Sequence, residues 1–252
     1  MSSSKLKKIF KFIIITISWL GIWQILSAVT GLSVLLPSPI ETLLEIKELV
    51  VTSVFWQSVF HSLVRIIIGF LLGVLFGTLT AFISAFSKTV NDFLLPIIHI
   101  VKATPVASFI ILAIVWLKTD NVPSFISMLI VFPIIWNNVK TGIRETDKNL
   151  IEMSDAFGVK KSKKLKQIYL PSVKPYFVSA VTTSMGLAWK SGIAAEVLCT
   201  PKNSIGSGIY ASKIYLETPK LFAWTAIVVI MSIVLEKIIL LIIKRGKTSD
   251  KT

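Results

Sequence analysis

The sequence predicts an all-α integral membrane protein with six transmembrane helices, both termini cytoplasmic, and a helical cytoplasmic loop between spans four and five. Three observations carry this expectation. Of 252 residues, 54% are apolar and only 16% charged, against roughly 45–50% and about 25% in soluble domains. Six stretches approach the ~20 apolar residues that a helix needs to cross a bilayer core. The Lys and Arg residues between those stretches fall mostly on one side, and basic residues concentrate in cytoplasmic loops.

The first stretch, Phe12–Val29, is uncharged and follows Lys5, Lys7, Lys8 and Lys11. Such a run is long for a signal peptide, and Ser27-Ala28-Val29 is a poor cleavage site, so it reads as a span. The segment Gly31–Arg65 opens with the turn signal Leu36-Pro37-Ser38-Pro39. Leu43, Ile46 and Val50 then recur at helical spacing, with Glu41, Glu45, Lys47 and Glu48 on the polar side. This predicts an amphipathic helix on the outer surface. The second span, Ile66–Phe86, carries Gly69, Gly73 and Gly77 at four-residue intervals. Those glycines share a helix face and predict a close packing seam.

Span three is Phe93–Leu117 and span four Val122–Val139; Pro96, Pro105 and Pro133 fall within them and predict bends. Span five, Pro175–Cys199, is interrupted by Lys190 and Glu196. Span six, Leu221–Ile243, is interrupted by Glu236 and Lys237, which read as markers of its inner end, while Arg65 reads as an outer-edge anchor. With the N-terminus inside, eighteen Lys and Arg lie in cytoplasmic segments. Lys47, Lys118, Lys202, Lys213 and Lys220 lie outside. The chain divides into residues 1–58 (first span and outer helix), 59–243 (core, with the coupling loop at 144–171) and 244–252 (basic tail).

Between Lys140 and Lys174 the chain is too patterned for a simple connector. Asp147 or Asn149 can cap a helix beginning near Leu150, and Gly158 can end it. A second short helix over Lys160–Ile168 would stop before Leu170-Pro171. The loop's lysines follow from topology and need no nucleic acid.

No catalytic constellation is visible, and the sequence predicts no enzyme. His61 and His99 are too few for a His-rich metal site, and Cys199 has no partner for a disulfide. No G-x-S-x-G, C-x-x-C or G-x-x-x-x-G-K-[ST] occurs. If ATP drives this protein, another subunit binds it.

Glu152-Met153-Ser154, three residues, Gly158, nine residues, then Ile168-x-Leu170-Pro171 resembles the E-A-A-x3-G-x9-I-x-L-P loop of permease subunits of bacterial ATP-binding-cassette importers. Met153-Ser154 stands where the family prefers Ala-Ala. Leu36-Pro37-Ser38-Pro39, Ser62-Leu63-x-Arg65 with Gly69-Phe70, and Lys102-Ala103-Thr104-Pro105 resemble the nitrate/sulfonate/taurine branch. So do Trp189, Ala194-Ala195-Glu196, Ile205-Gly206 and Phe222-Ala223-Trp224. The resemblance implies a multi-pass protein of the bacterial inner membrane. Its partners would be a second permease copy, an extracellular or periplasmic solute-binding protein, and cytoplasmic ATPase subunits that bind ATP and Mg. The helix around Glu152, Met153, Ser154, Ala156 and Phe157 would then enter a groove of the ATPase, with Gly158 supplying the bend and Pro171 ending the arm.

Ionisable residues within spans are costly and point to function. Lys190 lies about 22 Å along its helix from Pro175, in the outer half, and Glu196 lies six residues further. Six residues turn a helix by about 240°, so these two side chains do not face each other. Lys102 and Lys190 either add positive potential to the path of a small anion, with Trp189 and Glu196 as gate-lining neighbours, or find partners elsewhere and snorkel. A self-contained secondary carrier or channel is the alternative function, although no matched pair of broken helices is present.

Overall fold

The computed structural model describes residues 3–249; the end of the predicted basic tail, with Lys251, lies outside them. Among the described residues the chain is helical throughout, with no strand. Helix α1 spans Ser3–Thr30, α2 Pro39–Val51, α3 Ser53–Phe86 and α4 Lys88–Ala103. Helix α5 spans Val106–Trp116 and α6 Val122–Arg144. Then come the short helices α7, Lys148–Ala156, and α8, Lys161–Lys164, followed by α9, Leu170–Cys199, α10, Ile205–Ile214, and α11, Thr218–Ser249.

Local sequence explains most boundaries. Ser38 accepts from the Glu41 amide while the Glu41 carboxylate accepts from the Ser38 amide, a reciprocal cap with Pro39 in the first turn of α2. Thr52 ends α2 and caps α3, its hydroxyl accepting from the Phe55 amide. The second apolar helix therefore starts well before Ile66, and the expected boundary at residues 58/59 falls inside α3. Helix α2 buries Thr42 and Leu49, whereas Leu43 is exposed, so its inward face is rotated from the one predicted.

The core is built on α6, with α3 and α9 packed along it and α11 beside α9 and α2. The glycine seam is the closest approach. A Cβ at Gly69 would collide with the Ser124 backbone carbonyl; one at Gly73 would lie 2.7 Å from Val131 Cβ, and one at Gly77 2.9 Å from Ile135 Cβ. The partners advance in the same order as the glycines, so α3 and α6 run parallel. Against α6 and α3, α9 runs antiparallel: Ser127 donates to the Ala188 carbonyl at 3.2 Å, Gly142 lies against Val173, and Ser62 meets Glu196.

Gly69→Ala is expected to destabilise the folded chain by about 1–3 kcal/mol, since backbone atoms of α6 must yield. Gly21→Ala, where an added Cβ has nothing within 4 Å, is expected to be neutral or slightly stabilising. Thermal unfolding of the two purified variants in detergent separates these outcomes.

Among the described residues, four helical segments are long and apolar enough to cross a membrane: Ile13–Thr30, Ser53–Phe86, Val122–Arg144 and Thr218–Ile243. The predicted third span is not one straight helix. Helices α4 and α5 meet at a bend of 108°, where Thr104 is extended and Pro105 lacks the amide that would continue the helix. Counted as one broken span, the pair makes five. Helix α9 has 30 residues but is diluted by Lys174, Lys190, Glu196 and many Ser, Thr and Gly. Its buried small residues suit close packing within the chain more than contact with lipid.

Candidate functional site: a docking loop and a buried ion cluster

At one end of the bundle, α6 leads into the predicted coupling loop. Asp147 caps α7, accepting from the Asn149 amide at 2.9 Å. Gly158 adopts φ +64°, a left-handed conformation that favours glycine, and the Val159 amide returns to the Ser154 carbonyl at 2.9 Å. This closure fixes which side of α7 faces outward. Ser154 is buried and donates to the Ile151 carbonyl at 2.7 Å, whereas Met153 and Phe157 are 52% and 79% exposed. With Leu150, they form an apolar stripe at i, i+3 and i+7. Glu152, Ala156 and Gly158 are also exposed. The two departures from the family motif thus point in opposite directions: the serine inward with its hydroxyl satisfied, the methionine outward.

The loop is braced against the bundle. Lys164 pairs with Asp155 at 2.5 Å, and the Tyr169 ring meets Phe86 of α3 edge-on, with centroids 5.3 Å apart. The predicted stop before Leu170-Pro171 does not occur. A π-turn over Leu165–Tyr169 carries the chain directly into α9, the Leu170 amide reaching back to the Leu165 carbonyl. Pro171 sits in the first turn of α9, where its missing amide is tolerated. Ile168 is half-buried, while Leu170 and Pro171 are exposed beside this junction.

At the opposite end of the bundle the scattered motifs converge. Glu196 is fully buried. Its Oε2 accepts from the Ser62 hydroxyl at 2.7 Å and the Gly206 amide at 3.1 Å. The same Ser62 hydroxyl accepts from the Ile205 amide at 3.0 Å. Glu196 Oε1 lies 3.7 Å from an Arg65 guanidinium nitrogen, Nη1, and neither of these two buried atoms has a hydrogen-bond partner. Arg65 Nη2 meets Asp120 at 2.7 Å and donates to the Lys202 carbonyl at 3.0 Å. One arginine thus ties α3 to the α5–α6 turn, the end of α9 and the α9–α10 turn. It is a partly buried hub at this end of the bundle, with partners that the edge-anchor reading did not include.

Trp189 and Glu196, expected beside a gate, both lie in the chain's interior, and the Trp189 indole donates to the Val228 carbonyl of α11 at 3.0 Å. Lys102 and Lys190 are exposed on α4 and α9. Glu236, expected to mark a helix end, is half-buried with its carboxylate against Gly186 of α9. Sequence reasoning missed Ser62 and Arg65 as partners of Glu196 because nothing local signals a contact between residues so far apart in the chain.

This all-helical architecture, with several helices apolar enough to span a bilayer, is that of a multi-pass membrane protein. The profile of the family described as binding-protein-dependent transport system inner membrane component matches residues 69–246, and the chain belongs to that family. A protein named as the aliphatic sulfonates transport permease SsuC in Bacillus subtilis (strain 168) is 24% identical over 207 residues, covering 81% of this chain and 74% of that one. The nitrate import permease NrtB of Synechococcus elongatus is 25% identical over 210 residues, covering 79% and 75%. The structure of an amino acid ABC transporter solved with histidines superposes with a TM-score of 0.62 at 14% identity, over 76% of this chain and 94% of that one. That likeness concerns the fold.

Proposed function

We propose that this chain is the membrane permease of an ATP-driven importer and takes its motion from a cytoplasmic ATPase docked on α7. The observation that carries the reading is the exposed stripe Leu150, Met153 and Phe157 on and just after α7, which Asp155 ties to Lys164 of α8, the segment that runs through the π-turn into α9. A rigid arm with an apolar tip suits docking in a partner's groove. ATP binding by that partner would bias a two-state packing of the helices.

The reading includes six crossings with both ends cytoplasmic. Helix α1 ends where α11 begins: Trp23 and Phe222 rings lie 5.9 Å apart, and Thr218 donates to the Val34 carbonyl at 2.7 Å. Because α3 and α6 run parallel, the bent α4–α5 pair returns from one end of α3 to the other and counts as a crossing. Helix α9 supplies the remaining one. The chain would work as two copies beneath an external solute-binding protein in the inner membrane. The relatives favour a small anion such as nitrate, a sulfonate or taurine as solute; a vitamin precursor also fits this branch. Lys102 and Lys190 would add positive potential along the path.

The test is uptake of radiolabelled taurine, sulfonate or nitrate into vesicles holding this chain, its neighbouring-gene ATPase and its binding protein. Uptake is expected only with ATP and the ATPase. Uptake by the chain alone would identify a secondary carrier.

A further inference from the structure

Between α7 and the bundle lies a cavity of about 500 Å³, bounded by the end of α3, the first turn of α4 and the last turns of α6. Ile151 of α7 and Tyr169 of the π-turn close it on the loop side, and Lys88, Asn91, Lys140 and Arg144 line it from the bundle. Three of those four are cations. Lys140 and Arg144 stand four residues apart, so they share a face of α6 and repel each other. The Lys140 ammonium is held in place, donating to Asn91 Oδ1 and lying 4.5 Å from the centroid of the Trp136 ring. Both of these partners are neutral. The Asn91 amide in turn donates to the Asp92 carboxylate at 2.9 Å, and Asp92 is the carboxylate whose field reaches Lys140. Among the described residues, no ion pair neutralises Lys88, Lys140 or Arg144. The proposed topology accounts for basic residues at this end of the bundle. It does not account for a cavity that gathers three of them around one fixed ammonium.

We propose that this cavity binds one doubly charged oxyanion of the phosphate type, with Lys140 as the fixed contact and Lys88 and Arg144 closing on it. Charge decides the class. Three cations less the Asp92 carboxylate leave two positive charges, which a dianion balances and a nitrate or sulfonate does not. Ammonium and guanidinium groups hold phosphate oxygens through charge-assisted hydrogen bonds, roughly twice as strong as neutral ones. Size agrees with charge: a water occupies about 30 Å³ in the liquid, so the cavity admits a phosphate group together with part of its hydration shell or an ester tail. Free phosphate and the phosphomonoester headgroup of phosphatidic acid share this chemistry. Bound there, the anion would join α4 and α6 beneath the loop and stiffen the base of the arm. The site goes beyond the transport reading and needs neither the ATPase nor a transported solute.

The full-length chain, purified in detergent without phosphate, is dialysed against radiolabelled phosphate or radiolabelled short-chain phosphatidic acid, with sulfate, nitrate or taurine as competitor. Saturable binding, displaced by sulfate, is expected. K88Q/R144Q changes two exposed side chains, keeps Lys140, and should weaken binding by about tenfold or more. K160Q/K163Q, which removes two loop lysines outside the cavity lining, should leave it unchanged. Saturating anion should also raise the unfolding midpoint of the parent chain by about 5 °C, and the same concentration should raise that of K88Q/R144Q far less. Tight binding of phosphatidic acid with weak binding of free phosphate would support the site and place its ligand in the membrane; the reverse would support it and place the ligand in solution. Saturable binding of neither, full retention by K88Q/R144Q, or equal loss in K160Q/K163Q would overturn the site. Displacement by nitrate or taurine as readily as by sulfate would overturn it too, and would assign the cavity to the solute path. Neither readout needs transport, so this result and the ATP dependence of uptake stand or fall separately.

Discussion

Replacing Glu196 with alanine is expected to lower the stability of the folded chain by about 3–5 kcal/mol, the range found when one member of a buried ion pair is removed. The loss has three parts. The Gly206 amide and the Ser62 hydroxyl lose their acceptor, Arg65 Nη1 loses the nearest carboxylate, and a fully buried side chain leaves a void. Buried donors left without partners account for much of such effects. Glu196→Gln separates the parts, because an amide oxygen can still accept from both Ser62 and Gly206. The glutamine variant should lose only about 1 kcal/mol. In thermal unfolding of the purified chain, alanine should lower the midpoint by about 10 °C and glutamine by much less. An alanine variant as stable as the parent would show that the cluster holds nothing together. Glutamine as damaging as alanine would mean that the charge facing Arg65, not the hydrogen bonding, is what counts.

The second large effect is functional and should leave stability untouched. Met153 and Phe157 are exposed on α7, whose inward contact is Ser154, so Met153→Asp with Phe157→Asp removes no packing from this chain. In a docked complex the same changes would bury two carboxylates in an apolar groove. Truncating central interface residues costs 2 kcal/mol or more, and an unpaired buried charge adds to that. ATP-driven uptake is expected to fall by more than tenfold while the unfolding midpoint stays at the parent value. Normal uptake by this variant would remove the stripe from the coupling path, and a lowered midpoint would show that it packs inside the chain.

Much of the fold was legible because helix signals are local. The Ser38/Glu41 cap, the proline break at Thr104-Pro105, the Asp147 cap, the bend at Gly158 and the seam of Gly69, Gly73 and Gly77 each need only neighbouring residues to be read. Helix α7 was legible for the same reason, although which of Met153 and Ser154 faces outward depends on how α7 sits on the bundle. Three features were not legible. The Arg65–Glu196 contact joins helices through the fold, and no spacing rule encodes it. Pro171 signals a helix end in isolation, yet a π-turn absorbs it and the helix continues. Trp189 and Glu196 read as path residues because polar or aromatic groups in a span invite function, and burial against neighbouring helices reassigns both to the chain's interior.

The most direct test of α7 as a docking surface is binding between the full-length chain in lipid nanodiscs and its cognate ATPase, measured with and without Met153→Asp/Phe157→Asp. The parent chain is expected to hold the ATPase in a 1:1 ratio and the double variant to bind it at least about thirtyfold more weakly. Equal binding by the two, or no binding by either, would contradict it.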